Sequence, residues 1–386
     1  MRRRCVVPGP LSGVRVVELA GLGPAPFCGM LLADLGAEVV RVDRPGGGGM
    51  LPRNAADVLG RGRREVVVDL KHERGAEVVL RLAEKADVLI EGFRPGVAER
   101  LGIGPEQCMA RNPKLVYGRM TGWGQDGPLA SSAGHDIGYV AITGALHAFG
   151  RAGGPPQVPM NLVGDFGGGA MYLAVGVLSA VIQAGRTGRG QVVDAAIVDG
   201  TAHLSAMIHG LVASGGWQDQ RGVNLLDTGA PFYDVYETSD GGHMAVGALE
   251  PQFYAEFARL LAPDGLPDRG DPANWPELRR RIAEIFVSRT RDEWTKVFDG
   301  TDACVSPVLG LTEAAEHPHN KARGVFVAPG GVVQPAPAPR FSGTPAPPVG
   351  VPAAAGSHTR AVLSEWGLSD VDELIESGAA HQRSED

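Results

Sequence analysis

Short β-branched runs alternate with segments of helical spacing over residues 1–200, and this alternation restricts the fold more than any other feature. Runs rich in Val, Ile and Leu occupy residues 14–19, 38–42, 66–69, 88–91 and 114–120. Segments with helical spacing, such as 26–35 and 74–83, lie between them. Apolar strands that alternate with helices form parallel sheets with both faces covered. The sequence therefore predicts an α/β large domain with a Rossmann-like parallel sheet.

The pattern changes after residue 215. Two strand-like runs at 233–238 and 243–246 flank the glycine turn 239–242, which is typical of a β-hairpin. Further helical segments are predicted at 253–261, 276–286, 291–298 and 360–376. We therefore predict a large domain over 1–215 and a smaller α+β domain over 216–324. A return segment over 325–386 is expected to end in a helix that packs on the large domain.

The charge of the chain limits the classes of ligand that it is expected to bind. The chain has 386 residues and a formal net charge of −8, which argues against a general nucleic-acid binder because such proteins present a basic surface. Basic residues nevertheless outnumber acidic ones over 1–120, and acidic residues predominate beyond. We therefore expect a small anionic ligand, if there is one, to bind the first third of the chain.

The cysteines and the termini indicate the compartment. Cys5, Cys28, Cys108 and Cys304 are far apart and form no CxxC pair, so their spacing predicts neither a metal site nor a disulfide framework. The basic N-terminus lacks the apolar core of a secretory signal, and the C-terminus is not a peroxisomal signal. A cytoplasmic location is the expectation.

Residues 166–185 carry no charge over a length that could span a bilayer. The run opens with three glycines and includes Ser179 and Gln183. We interpret it as a buried core helix and expect no membrane span.

One glycine motif resembles a dinucleotide-binding turn. Gly21 and Gly23 follow the first strand, and Asp43 ends the next one. In dinucleotide-binding proteins such glycines approach a pyrophosphate and the acid binds a ribose. However, Pro26 stands where the third glycine is expected and has no N–H. A nicotinamide-dependent dehydrogenase is therefore only an alternative.

Three further motifs contain acid–base groups. His135 lies in a glycine-flanked segment that indicates a cleft loop, although a lone histidine is more often structural. Asp165 precedes Gly167, Gly168 and Gly169, where it could be a helix N-cap; the glycines could let a ligand approach the backbone. Glu250 precedes Pro251, where it could merely complement a helix dipole.

Several basic residues lie at or just beyond predicted strand ends: Arg41, Arg44, Lys71, Arg94 and Arg100. In open parallel sheets, ligands bind beyond the carboxyl ends of the strands. Guanidinium groups match phosphate geometry, so this set is suited to a phosphorylated ligand.

Taken together, these segments resemble the family III CoA-transferase superfamily, and within it the racemase branch. The resemblance runs from about residue 8 to about residue 345. It is carried by residues 9–13, 31–45 (LLADLGAEVVRVDRP), 69–71, 86–97 (ADVLIEGFRPGV), 121–125, 134–136 (GHD), 164–169 (GDFGGG), 188–196 and 250–253 (EPQF).

The resemblance implies an acyl-CoA enzyme with no metal and no cofactor besides the CoA of its substrate. It implies an interlocked homodimer, with each active site built from both chains. The implied acid–base groups are His135, supported by Glu250, and Asp165, while a backbone N–H near Asp136 would donate to the thioester oxygen. The implied CoA contacts are Arg44, Val68, Asp69, Leu70, Lys71, Gly92, Phe93, Arg94, Arg100, Gly134, Ile137, Gly138 and Tyr139.

The racemase branch interconverts (2R)- and (2S)-2-methylacyl-CoA thioesters through an enolate. Inversion by proton removal and return needs one acid–base group on each face of the enolate and a donor to its oxygen. The main alternative is a family III CoA-transferase, in which Asp165 attacks the thioester and forms an acyl anhydride. A non-catalytic acyl-CoA-binding protein is a third reading.

Overall fold

The computed structural model describes residues 9–47 and 56–384, and the chain divides into two compact units. The larger unit comprises Met1–Thr143, Met160–Leu204 and His319–Asp386, and the smaller comprises Gly144–Pro159 and Ser205–Pro318. These bounds differ from the predicted divisions at 216 and 324, chiefly because residues 144–159 group with the smaller unit.

The described strands are β1 (Arg15–Leu19), β2 (Glu38–Asp43), β3 (Arg63–Val68), β4 (Val88–Glu91), β5 (Val116–Thr121), β6 (Val192–Ala196), β7 (Tyr233–Glu237), β8 (His243–Gly247), β9 (Val305–Pro307), β10 (Phe326–Val327), β11 (Gln334–Pro335) and β12 (Ala380–His381). In the larger unit, seven strands form one sheet in the order β12-β3-β2-β1-β4-β5-β6. Strands β1 to β6 are parallel, as predicted, and β12 pairs antiparallel with β3.

The described α-helices are α1 (Pro24–Asp34), α2 (Gly75–Ala83), α3 (Val97–Arg100), α4 (Pro105–Arg111), α5 (Asp136–Ile142), α6 (Ala145–Ala148), α7 (Met171–Thr187), α8 (Ile197–Leu204), α9 (Ala206–Ala213), α10 (Pro251–Leu261), α11 (Trp275–Phe286), α12 (Arg291–Phe298), α13 (Pro318–Arg323), α14 (Thr359–Glu365) and α15 (Val371–Glu376). A π-helical segment, Leu162–Ala170, leads directly into α7.

The sheet of the larger unit has an apolar core on each face. Val16 and Val17 are neighbours in β1 but belong to different cores, because successive side chains of a strand point to opposite faces. Residues of α1 and α7 pack in the core of Val16, while α2, α14 and α15 pack in the core of Val17. This layering confirms the predicted α/β class.

The C-terminal segment corrects one prediction. A single helix was expected over 360–376, but α14 and α15 are separate because Gly367 adopts a left-handed conformation with φ of +89°. The sequence also gave no sign of β12, a two-residue edge strand too short for a periodic pattern.

The apolar run that begins near residue 166 lies in a long helical segment. Among the described residues, Leu162–Thr187 is long and apolar enough to cross a membrane by length and composition. Leu173, Ala174 and Val177 are buried in the sheet core, whereas Val175 and Ile182 are exposed. The interpretation as a buried core helix therefore holds for one face of α7.

The smaller unit has its own sheet and core. Strands β7 and β8 form the predicted hairpin, and β9 completes a three-stranded antiparallel sheet. Phe257 of α10, Phe286 of α11 and Trp294 of α12 are buried in its core. Ala248, which lies just before α10, is buried in the same core.

Candidate active site

The order of the parallel sheet reverses between β1 and β4, which is where ligands bind in open α/β sheets. The segments after these strands carry Gly23 and Gly92, respectively. A Cβ at Gly92 would lie 3.3 Å from the Ala25 Cβ of α1, so the turn after β4 packs closely on the start of α1.

The predicted CoA contacts follow the ends of neighbouring strands. Arg44 follows β2 and is exposed, and Val68 is the last residue of β3. In the turn after β3, the Asp69 side chain accepts the backbone N–H of Lys71 at 2.9 Å. The backbone N–H of Asp69 donates to the Ala379 carbonyl at 2.9 Å, which ties this turn to the residue before β12.

A buried ion pair holds the turn after β4. The Glu91 carboxylate accepts the Phe93 N–H at 2.6 Å and the Arg119 Nε–H at 2.9 Å. Arg119 also donates to Glu99 at 2.8 Å, so one guanidinium fixes residues on both sides of the turn. Burial raises the pKa of Glu91 to about 6, although Phe93 and Arg119 oppose this effect. Arg94 and Arg100, both exposed, are carried by this turn and by α3.

His135 lies immediately before α5 with an exposed side chain that caps no helix N–H. Its carbonyl accepts the Gly138 N–H at 2.8 Å. A Cβ at Gly134 would lie 2.6 Å from the ring of Tyr139, which packs edge-on against Trp123 with ring centroids 4.6 Å apart. Glycine is therefore needed before His135 to admit the Tyr139 ring. Ile137 of α5 is exposed.

Asp165 lies inside the π-helical segment and is partly buried. Its backbone N–H donates to Asp136 Oδ1 at 2.8 Å, and its carboxylate accepts from Asn161 Nδ2 at 3.3 Å. A Cβ at Gly23 would lie 3.2 Å from Asp165 Oδ2, so the turn before α1 borders this carboxylate. The N-cap alternative for Asp165 is therefore wrong.

The pKa of Asp165 is raised above its ordinary value, and burial is the main cause. The Asn161 hydrogen bond lowers it, the charge of Asp136 raises it, and the nearby His135 lowers it. Burial also raises the pKa of Asp136, against the N–H groups of Asp165 and Gly164. A partly buried carboxyl and an imidazole in one site are groups that can take and give protons in general acid–base catalysis.

The glycine run after Asp165 packs against protein. A Cβ at Gly168 would lie 2.4 Å from Thr201 Oγ1, and one at Gly200 would lie 1.8 Å from the Gly168 carbonyl oxygen. Gly169 is confined less tightly, because a Cβ there would lie 3.0 Å from the Ile197 side chain and 3.2 Å from Pro24. The expectation that these glycines make room for a ligand is therefore corrected. The missing side chains of Gly168 and Gly169 instead allow α8 and α1 to pack closely against this segment.

Glu250 lies in the smaller unit at the N-cap position of α10. Its side chain is exposed and accepts no hydrogen bond from the helix, although Pro251 begins the helix as expected. The carboxylate is therefore not used as a cap.

The structure brings His135, Asp136, Tyr139 and Asp165 together in the larger unit. The sequence analysis did not identify Asn161 as a site residue. The available signal was its position four residues before Asp165, because side chains with that spacing are neighbours on a helix. The sequence analysis also missed Glu91 and Arg119, whose only signal was a charged residue inside each of two apolar strands.

Comparisons with known proteins agree with this architecture. Residues 11–359 match the model of CoA-transferase family III. The chain is 48% identical over 372 residues to a Mus musculus protein named alpha-methylacyl-CoA racemase, covering 94% of this chain and 95% of that protein. The Homo sapiens protein of the same name is 47% identical, with 95% and 98% covered.

A solved structure of a CAIB/BAIF family protein from Brucella suis superimposes with a TM-score of 0.81 at 27% identity, covering 93% of this chain and all of that one. The matched range includes strands β1 to β11 and each predicted acid–base residue. The chain therefore belongs to CoA-transferase family III.

Proposed function

We propose that this chain is an α-methylacyl-CoA racemase, an isomerase that interconverts (2R)- and (2S)-2-methylacyl-CoA thioesters. The observation that carries the proposal is the neighbourhood of His135 and a partly buried Asp165 of raised pKa, with Asp136 bonded to the Asp165 backbone. The similarity to the two named racemases over nearly the whole chain supports the same activity.

The reaction moves one proton off the α-carbon and one proton back. The thioester carbonyl acidifies the α-hydrogen, and one of His135 and Asp165 removes it. The other group then delivers its proton to the opposite face of the planar enolate, which inverts the carbon. Burial raises the pKa of Asp165, which favours its use as a proton donor as well as a proton acceptor. A backbone N–H near Asp136, at the start of α5, donates to the enolate oxygen.

Glu250 supports His135 in this proposal by holding one tautomer and stabilising the protonated ring. Its carboxylate is exposed and accepts no hydrogen bond from α10, which is consistent with that role. CoA lies along the strand ends and contacts Arg44, the Val68–Lys71 turn, Gly92, Phe93, Arg94, Arg100 and the Gly134–Tyr139 segment. No cofactor beyond the CoA of the substrate takes part.

We further propose that the protein acts as a homodimer in the cytoplasm. Exposed apolar side chains on helices of both units, including Val175, Ile182 and Met207, support burial against a second copy. The cysteines among the described residues, Cys28, Cys108 and Cys304, are all free, which supports a reducing compartment.

The test incubates one epimer of a 2-methylacyl-CoA with the protein in deuterated water. Deuterium at C2 with loss of optical purity is expected. His135→Ala and Asp165→Ala should impair racemisation while CoA still binds, and the exposed-site variants His319→Gln and Asp264→Asn should behave as wild type. CoA transfer to a free acid without α-exchange would instead support a CoA-transferase with Asp165 as the nucleophile.

A further inference from the structure

We infer that Arg269 is a positioning residue for Glu250, an inference that rests on the proposed role of Glu250. Arg269 lies between α10 and α11 and belongs, like Glu250, to the smaller unit. Arg269 Nη1 donates to the carbonyl oxygens of Ala248 and Leu249, each at 3.0 Å. These are the two residues directly before Glu250, so Arg269 fixes the backbone from which the carboxylate projects.

Aromatic side chains hold the guanidinium in place. Its central carbon lies 4.4 Å from the ring centroid of Tyr254 and 4.8 Å from that of Phe232. The Arg269 carbonyl also accepts the Trp275 Nε1–H at 2.9 Å. Cation–π contacts and this hydrogen bond restrict the arginine to one geometry.

The same contacts reach both sides of Glu250. On the N-terminal side of Glu250, the Ala248 N–H donates to the Phe232 carbonyl at 3.0 Å. Phe232, whose ring lies against Arg269, therefore also holds the backbone before Glu250. After it, Tyr254 belongs to the first turn of α10, and its N–H donates to the Glu250 carbonyl at 3.0 Å. Because the Glu250 side chain caps nothing, its orientation depends on this backbone.

The chemistry requires arginine at this position. One planar guanidinium can lie against aromatic rings while a single nitrogen donates to two carbonyls. A lysine ammonium carries charge and donors but has no plane to stack. Arg269→Lys should therefore restore the reaction only in part, whereas Arg269→Met keeps the apolar stem and loses both carbonyl bonds.

The test measures α-proton exchange in deuterated water separately for each epimer. Glu250→Gln should slow exchange unequally from the two epimers, because it weakens only the His135 side. Arg269→Met should lower kcat about 10-fold with the same bias between epimers and little change in KM, since a misplaced group costs rate more than binding. Arg269→Lys should fall between Arg269→Met and wild type.

Two comparisons separate positioning from general destabilisation. In the Glu250→Gln background, Arg269→Met should cause no further loss. Arg259→Met removes an exposed arginine of α10 that pairs only with Glu256 among the described residues, and it should leave both epimer rates unchanged. Urea unfolding shows which variants are folded. If Arg269→Met does not fold, the comparison is made with Arg269→Lys.

Each outcome decides one claim. If Glu250→Gln slows exchange but the Arg269 variants match Arg259→Met, the inference fails and the proposed function stands. Equal loss from both epimers, additive with Glu250→Gln, would also overturn it, because that is the signature of a structural role. If Glu250→Gln has no effect, the supporting role of Glu250 is itself wrong and the inference falls with it.

Discussion

The Asp136 carboxylate accepts the backbone N–H of Asp165 at 2.8 Å. Asp136 is the first residue of α5, and Asp165 lies in the π-helical segment. A Cβ at Gly164 would lie 2.1 Å from Asp136 Oδ1, so glycine at that position allows the approach. The bond fixes the position of Asp165 relative to His135, and the negative charge of Asp136 raises the pKa of the Asp165 carboxyl.

Asp136→Asn separates the bond from the charge. The amide oxygen can still accept the Asp165 N–H, but the negative charge that raises the pKa of Asp165 is gone. Exchange that needs ionised Asp165 declines as the pH falls through its pKa. The low-pH limb of the exchange profile for the epimer deprotonated by Asp165 should therefore move to lower pH in Asp136→Asn. An unchanged limb, or a shift to higher pH, would contradict this account of the site.

Asp136→Ala provides the comparison. It removes both the charge and the acceptor, and it leaves the partly buried N–H of Asp165 without its bond. The loss of an acceptor for a buried N–H costs about 1–3 kcal/mol. The free energy of unfolding from urea titration should fall by that amount in Asp136→Ala and by less in Asp136→Asn.

The substitution Gly168→Ala tests how closely the π-helical segment packs on α8. In Gly168→Ala the new Cβ would lie 2.4 Å from Thr201 Oγ1 and 2.7 Å from the Thr201 backbone nitrogen, so a helix must shift. Overpacking of this kind costs about 1–3 kcal/mol of unfolding free energy. Exchange should also slow, because Asp165 lies three residues away. The control is Gly185→Ala in α7, where a Cβ meets nothing within 4 Å and stability should rise slightly.

The sequence was sufficient to predict the parallel strands of the large sheet, but it did not predict the polar contacts of the candidate site. Predominantly apolar runs such as Val88–Glu91 predict buried parallel strands directly, and the structure has that strand with the same bounds. The contact between Asp136 and Asp165 joins residues 29 positions apart. No local pattern reports such a contact, because the approach of α5 to the π-helical segment is fixed by packing, including the confined Gly164.

The three glycines after Asp165 show the same limit more sharply. The sequence shows that three glycines follow Asp165. It does not show whether a ligand or another helix occupies the space that their side chains would fill. Thr201 and Gly200 of α8 occupy that place at Gly168. Likewise β12 has two residues and exists only because the edge of β3 is available for pairing.

The C-terminal edge strand depends on a buried threonine. Thr359 is fully buried; its hydroxyl accepts the Val67 N–H at 3.1 Å and donates to the His381 carbonyl at 2.8 Å. Thr359→Val keeps the shape and leaves both groups without this partner, which should cost about 1–3 kcal/mol in unfolding free energy. Thr312→Val at an exposed position should change stability little, and an equal loss in both variants would contradict the bridging role.

Glu91 provides a pH test of the turn after β4. Its pKa of about 6 lies above the ordinary value because of burial, so protonation near pH 6 weakens the bond from Arg119 and the hold on Phe93. CoA affinity, measured by calorimetry, should therefore fall as the pH drops from 7 to 5. Glu91→Gln removes this titration but keeps an acceptor, so the extra loss of affinity at low pH in wild type should be absent from the variant.

The comparison with Glu91→Gln is needed because a phosphate of the ligand also titrates near pH 6. That contribution is common to both proteins.

The free energy of unfolding should change in the direction opposite to CoA affinity. A carboxyl whose pKa is raised in the folded state binds its proton more tightly there than in the unfolded chain, so protonation of Glu91 favours the fold. Between pH 6 and 4.5 the wild type should therefore gain stability relative to Glu91→Gln while it loses CoA affinity. Parallel losses of stability and affinity would show that acid unfolds the domain, and would exclude a local effect on the turn.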